Sequence, residues 1–332
     1  MRCTLLFSFI FLFFFQAFTS AQGYRLSWPT PNPSFAKGLG YSTFLQKTGP
    51  DKEYASGAFG CVRNNGYKFH EGVDLFPVRR DKVGKAEDNI FASMDGIVAH
   101  INKTSSYSSY GKYIVLEHPN CKPALYSLYA HLSKISPKLN IGTKVTVAEE
   151  IGVMGNTSSF RIPISRSHLH FEIGLRLSNS FQQWFDSKKF KTQNRHGNYS
   201  GFNLVGIDPL HFFAEYQKKS FKQPLDLIKN LPVILKVRVR SSKTVDFATR
   251  YPELCPNYDP QAKIWDCSMG PYGIPLKIEP ARSITSLDKK IQILSYDLHG
   301  NKKPCRSLVI RQGGQYTPSE QLKTYIELLF GQ

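Results

Sequence analysis

The chain has 332 residues, with 43 Lys and Arg against 25 Asp and Glu, a formal charge of +18. Its 41% hydrophobic and 13% aromatic content excludes a disordered or low-complexity polymer binder and is enough to fill real cores, and the length allows two domains. A basic balance of this size attracts polyanions.

Met1-Arg2-Cys3 is a short basic start, and Thr4 to Phe15 is an apolar run too short to span a bilayer comfortably. Thr19-Ser20-Ala21 then offers small residues at cleavage positions, so residues 1–21 read as a secretory signal peptide cut before Gln22. Losing Arg2 lowers the charge from +18 by one, to +17. No later stretch is long and apolar enough to cross a membrane. The mature protein is expected to be exported, without a stable membrane span. Nucleic acid is the usual partner for such a composition, but export argues against it.

Tyr24 to Phe44, with Pro29, Pro31 and Pro33, reads as extended chain wrapping the first domain. Lys47 to Gly66 is loop-like and ends in turn signals, Gly57-Ala58-Phe59-Gly60 and Asn64-Asn65-Gly66. It leads into Phe69-His70-Glu71-Gly72-Val73-Asp74 and is placed to wall a groove. Strands follow at Met94–Ile101, Lys112–His118, Ala124–Ala130, Lys144–Val147, Ile151–Met154 and His168–Leu177. Ser178 to Val205 is an insertion that either covers the site or decorates the surface, and His196 within it is solvent-type by its neighbours. Asp208-Pro209-Leu210 opens a helix through Tyr216.

Beyond Pro224, strands are expected at Leu231–Val239, Asp246–Arg250, Ile264–Cys267, Pro275–Pro280, Ile291–Tyr296 and Ser307–Arg311. Thr317-Pro318-Ser319-Glu320 reads as a capping box, and Leu322, Tyr325, Ile326 and Leu329 form an apolar stripe at helix spacing. The fold class is mostly β, with residues 22–219 as the first domain and 220–332 as a small β-rich domain ending in a helix. Loss of Cys3 leaves an odd number of cysteines. Cys255 and Cys267, bracketing a short loop, are the expected disulfide, while Cys61 either meets Cys121 or stays free.

Of nine histidines, four fall in three short segments: His70, His131, and the pair His168 and His170. His70 with Asp74 four residues on, and a distant His-Leu-His, offer the mixture of imidazole and carboxylate that zinc favours. His70, Asp74 and His170 are read as three ligands, leaving the fourth position to water. His168-Leu169-His170-Phe171-Glu172-Ile173 alternates polar and apolar, so His168 and His170 share one strand face. One ring can hold the metal while the other lies beside the water, and His131 can supply a further ring. His118 is read as structural or as a support of the site.

In this pattern (His-x-x-x-Asp, Tyr129-Ala130-His131-Leu132, His168-Leu169-His170-Phe171-Glu172) the chain resembles the lysostaphin-type (LytM-type) zinc metallopeptidases. The similarity runs over roughly residues 59–215 and includes Met94-Asp95-Gly96, Gly111-Lys112-Tyr113 and Ile207-Asp208-Pro209-Leu210. It implies a compact antiparallel β-sheet peptidase domain of the duplicated hybrid-motif type with the site in a groove. It implies one Zn²⁺ on His70, Asp74 and His170, and His131 and His168 as the catalytic pair. The implied substrate is the peptide part of peptidoglycan, with anionic wall polymers nearby and a periplasmic or extracellular, wall-associated location. Two departures bear on the groove. Arg166-Ser167 stands where the family has Gly-Pro, after a longer loop Ser158–Ser165, and Val147-Ala148-Glu149-Glu150 replaces Lys-Gly-Gln. The alternatives are a non-catalytic wall-binding or regulatory relative keeping this fold, and a basic secreted polymer-binding protein with an incidental metal site.

Overall fold

A computed structural model of the chain describes residues 25–48, 53–241, 243, 245–282, 290–297 and 305–331. The expected signal peptide, residues 1–21, lies outside the described residues. Among those described, no helix is long and apolar enough to cross a membrane.

The first elements are a small hairpin, β1 (Gly60–Arg63) and β2 (Lys68–His70), followed by β3 (Val73–Leu75), β4 (Asn89–Phe91) and β5 (Gly96–Asn102). Asn64 and Asn65 take positive φ in the hairpin turn (52° and 55°), as the Asn-Asn-Gly signal suggests. Next come β6 (Tyr113–His118), β7 (Leu125–Ala130), β8 (Lys134–Ile135), β9 (Lys144–Val145), β10 (Glu150–Val153), β11 (Leu169–Arg176) and β12 (Leu204–Ile207). A seven-stranded antiparallel sheet runs β12-β11-β7-β6-β5-β9, with β3 also paired to β11, and β4-β10-β8 form a second sheet.

All eight residues of β11 are buried. Its alternation sends Leu169, Phe171, Ile173 and Leu175 into the main apolar core, each burial worth roughly 1.5–3 kcal/mol. The opposite face, holding His168, His170 and Glu172, shares its side with Tyr126, Leu128 and Ala130. A slip of one residue would exchange the faces, so the apolar set fixes where the histidines look.

The wrapping segment docks through aromatic rings: Trp28 stacks on Phe35 at 4.5 Å and meets Phe213 edge-on at 4.9 Å. Phe213 belongs to α2 (Pro209–Gln217); α1 (Phe181–Ser187) lies in the 178–205 insertion. Asp208 caps α2, its carboxylate accepting from the Leu210 amide at 2.9 Å.

The C-terminal part contains α3 (Pro224–Lys229), β13 (Leu235–Arg240), α4 (Asp246–Arg250), β14 (Ile264–Met269), β15 (Pro275–Pro280), β16 (Ile291–Tyr296), β17 (Val309–Gln312), β18 (Gln315–Pro318) and α5 (Glu320–Phe330). The order β15-β14-β13-β16 makes one antiparallel sheet, with β17–β18 a hairpin. Asp246–Arg250 is helical and not a strand: Phe247 and Ala248 are consecutive and both buried, which the alternation of a half-buried strand does not give. The cap of α5 is Ser319, accepting from the Leu322 amide at 3.2 Å, while Thr317 and Pro318 finish β18. Leu322, Tyr325, Ile326 and Leu329 face the core as the stripe predicts.

The disulfide differs from expectation. Cys61 bonds Cys305, with Cα atoms 5.7 Å apart, whereas Cys255, Cys267 and Cys121 are buried free thiols. Alternation along β14 puts Cys267 between Trp265 and Met269 on the core face, and burial pushes the Cys255 thiol up to about 12. The actual bond ties β1 to the C-terminal part, across 244 positions of sequence. Arg306 extends the tie, 2.8 Å from Glu71 Oε1 and 3.9 Å from the Phe69 ring centroid. Cys61→Ser is expected to lower stability by about 2–4 kcal/mol, read from the denaturant midpoint of the oxidised protein. An unchanged midpoint would mean that the bond constrains nothing.

Candidate metal centre

Three strands deliver the ligand set. His70 ends β2, Asp74 is central in β3, and His170 lies directly across the ladder from Asp74 on one side and Ala130 on the other. The turn between β2 and β3 needs glycine: a Cβ at Gly72 would sit 2.1 Å from the Phe171 carbonyl oxygen. His70 Nε2 and His170 Nδ1 are 3.0 Å apart, and each is 3.1 Å from Asp74 Oδ1. All three side chains are buried.

Each ligand atom is selected by what holds the other end of its side chain. His70 Nδ1 donates to the Ala58 carbonyl at 2.8 Å, which leaves Nε2 for the centre. His170 Nε2 donates to Glu172 Oε1 at 2.9 Å, which leaves Nδ1. Asp74 Oδ2 accepts from Arg63 at 2.5 Å and from Thr48 Oγ1 at 2.8 Å, which leaves Oδ1. Glu172 is itself held by the Tyr110 and Tyr126 hydroxyls at 2.7 and 3.0 Å. Such outer partners fix ring orientation and tautomer, and three converging donors with their remaining polar atoms satisfied fit a single metal ion.

His131 and His168 stand beside this set, with ring centroids 4.7 Å apart, and both line the same pocket as Asp74 and His170. His131 Nδ1 donates to the Thr157 carbonyl at 2.8 Å, and His168 Nδ1 to the Arg166 carbonyl at 2.7 Å. Their Nε2 atoms remain open, that of His168 3.6 Å from Asp74 Oδ1. His131 has φ of 60°, a left-handed turn that ends β7 and is uncommon for a residue with a side chain. Burial, with the neighbouring His168 and His170, holds His131 well below the usual histidine range. Burial also lowers His168, against the pull of Asp74. Both rings are neutral at pH 7.

His118 is structural, its ring bonded to the Asp95 carbonyl and Ser127 Oγ at 2.8 and 2.7 Å. His196 is half-buried, with Nδ1 2.8 Å from the Tyr113 hydroxyl, and not solvent-type. No residue of the 178–205 insertion lines the pocket. Its α1 packs toward α5 instead, Trp184 Nε1 donating to Glu327 at 2.8 Å. Arg63 and Thr48 fall in the stretch Lys47–Gly66, which reads as a loop in the sequence. The Asn64-Asn65-Gly66 turn signal, taken as a hairpin, folds Arg63 back beside Lys68 and so toward the ligands.

Two imidazoles and one carboxylate on a common point, with two more neutral imidazoles alongside, define a metal-dependent hydrolytic site. Residues 68–182 match the model of peptidase family M23. Over that span the chain carries an M23 peptidase domain, and the whole His/Asp/His set lies within it. Among solved structures, it is similar to a mutant catalytic domain of the prophage-encoded M23 protein EnpA from Enterococcus faecalis. That match has 21% identity over 40% of this chain and 82% of the other, with a TM-score of 0.28. The catalytic domain of the antimicrobial peptidase lysostaphin from Staphylococcus simulans matches at 22% over 48% and 87%, TM-score 0.28. A zinc-containing peptidase from Vibrio cholerae matches at 22%, over 45% of this chain but 33% of its own, TM-score 0.26. No curated protein matches the chain.

Without a metal, burial disfavours a charged His170, yet its hydrogen bonds to Asp74 and Glu172 prevail and raise it to about 9. A proton then occupies the centre at neutral pH, and a metal must displace it. The raised value means that this proton stabilises the metal-free fold fully below pH 6.5, and that the contribution fades as pH rises through about 9. Metal affinity runs the other way, rising about tenfold per pH unit up to that point. Competition with a chromophoric chelator at pH 6.5, 7.5 and 8.5 measures it, and a flat profile would contradict the displaced proton. Gly72→Ala, His70→Ala and Asp74→Ala are each expected to lose most bound metal by elemental analysis.

Proposed function

We propose that the chain is an exported zinc endopeptidase that hydrolyses peptide bonds in the stem peptides or cross-bridges of peptidoglycan. The observation that carries this reading is a complete ligand set, two members of which (Asp74 and His170) line a pocket shared with two neutral imidazoles whose Nε2 atoms are open. Zinc is the ion that suits it. Bonds of about 2.0–2.1 Å in a tetrahedron separate ligand atoms by roughly 3.3 Å, close to the 3.0–3.1 Å sides of the triangle. The peptidoglycan substrate is taken from the family resemblance, and the basic charge suits a wall rich in anionic polymers. Packing of the 178–205 insertion against α5, away from the pocket, favours catalysis over a non-catalytic relative with a covered groove.

In this reading His70, Asp74 and His170 hold the ion. When bound, it would polarise the scissile carbonyl and acidify water. The rest falls to the two histidines. No glutamate lines the pocket, so proton uptake from the attacking water falls to an imidazole. We assign it to His168, because Asp74 at 3.6 Å raises its proton affinity relative to that of His131. The carbonyl of Arg166 holds the ring in place while the charge appears on it. His131, turned in by its left-handed backbone with its Nδ1–H on the Thr157 carbonyl, offers an unprotonated Nε2 that accepts a hydrogen bond from the attacking water and helps to orient it. Arg63 and Thr48 keep the second oxygen of Asp74 engaged, so the carboxylate stays ionised and fixed.

His131→Ala and His168→Ala should keep near-normal zinc while losing about 10²- to 10⁴-fold in the rate of fragment release from purified sacculi. Zinc content by elemental analysis and released fragments by mass spectrometry read the two effects separately. Wild-type rates in both variants would overturn the mechanism. Zinc binding with no release from any sacculus would favour the non-catalytic reading.

A further inference from the structure

The pocket beside the ligand set holds positive charge beyond what its carboxylate pairs with, and no other acidic group among the described residues answers it. Arg63, Arg161 and Arg166 line it, and Asp74 is its one carboxylate. Arg63 is occupied, bonded to Asp74 Oδ2 at 2.5 Å and to the Ser56 carbonyl at 3.2 Å. Arg166 donates only to a neutral group, the Lys47 carbonyl, at 3.3 Å. Arg161 is exposed and makes no hydrogen bond or ion pair among the described residues.

The segment that carries these two groups is held in place. Asn156 donates to the Ile162 carbonyl at 2.8 Å, and Arg80 donates to the carbonyls of Ile164 and Ser167 at 3.1 and 3.3 Å. Its apolar residues share the same wall: Phe160, 58% exposed, and Ile162 both line the pocket. Two guanidinium groups on a held segment beside an apolar wall suit a ligand with an aliphatic stem and a carboxylate, since the planar fork takes a carboxylate through two hydrogen bonds. A peptide of glycines alone would leave both charges unanswered.

We propose that the loop 158–166 makes this site selective for peptides that carry a free carboxylate close to the scissile bond, seated by Arg161 and Arg166. The proposal deepens the peptidase reading and rests on it. The test uses soluble muropeptides released by a muramidase, either unmodified or with their carboxylates blocked as methylamides. Binding to the metal-loaded protein is measured by calorimetry, and hydrolysis is followed in parallel by mass spectrometry. Unmodified peptides should bind at least about tenfold more tightly than blocked ones. The double variant Arg161→Ala/Arg166→Ala should lose that difference in binding, with the single variant Arg161→Ala losing part of it, and Arg161→Lys/Arg166→Lys should restore part of it. Equal binding of the two peptide forms to the wild type would overturn the proposal. So would polyphosphate competing more strongly than free-carboxylate peptide, which would make the arginines a general polyanion site. A binding difference without hydrolysis would remove the enzymatic reading and leave the carboxylate site standing. Hydrolysis without a binding difference would do the reverse.

Discussion

The antiparallel pairing of β3 with β11 sets the one distance on which the site depends, that between the carboxylate of Asp74 and the imidazole of His170. Leu169, His170 and Phe171 stand opposite Leu75, Asp74 and Val73. The apolar members of both strands enter the core, and the two polar ones are left facing the same side. Gly72 permits the close approach that this register requires, because its missing Cβ is where the Phe171 carbonyl lies. Packing therefore does the positioning. The ligands converge because their neighbours are buried, not because they attract one another across a flexible loop.

Burying such a set is costly, and the surroundings show how the cost is offset. An ionised carboxylate loses its hydration at Asp74, and Arg63 and Thr48 return part of it. The two tyrosine hydroxyls do the same for Glu172. What remains is a set of lone pairs facing one another at about hydrogen-bond distance, which is favourable only with a cation or a proton between them. The raised proton affinity of His170 expresses that demand, and functional sites concentrate groups perturbed in this way.

The C-terminal part bears on the centre through the β1–β2 hairpin. That hairpin lies outside the seven-stranded sheet, and an isolated two-stranded ribbon is at best marginally stable. Yet it carries both His70 and Arg63. The Cys61–Cys305 bond, the Arg306–Glu71 ion pair and Tyr272, whose ring lies 4.8 Å from that of Phe69, hold it from outside. The same apolar core also runs without a break from the peptidase sheet into Leu235, Val237 and Val239 of β13.

Local pattern determined much of this protein by itself. Alternation marked β11 and placed His168 and His170 on one face. The caps and apolar stripes marked α2 and α5, and residue chemistry picked out His70, Asp74 and His170. Apart from the link between Asp74 and His170, 96 positions apart, these features depend on neighbours one to four positions away, which a sequence displays directly. Tertiary structure decided what depends on contacts between distant segments. Loop length favoured Cys255 with Cys267; both thiols lie free in the same buried core, and the bond forms where the chain brings residue 305 to Cys61. Asp246–Arg250 is too short for its periodicity to distinguish helix from strand, and packing chose the helix. Along the chain Arg63 falls in the loop-like stretch Lys47–Gly66, and Arg161 and Arg166 fall at the longer loop where the chain departs from the family it resembles. Only the fold brings all three to one pocket with Asp74, from which Arg63 stands 11 positions away in sequence, Arg161 87 and Arg166 92, because which segments become neighbours is set by the pairing of whole strands.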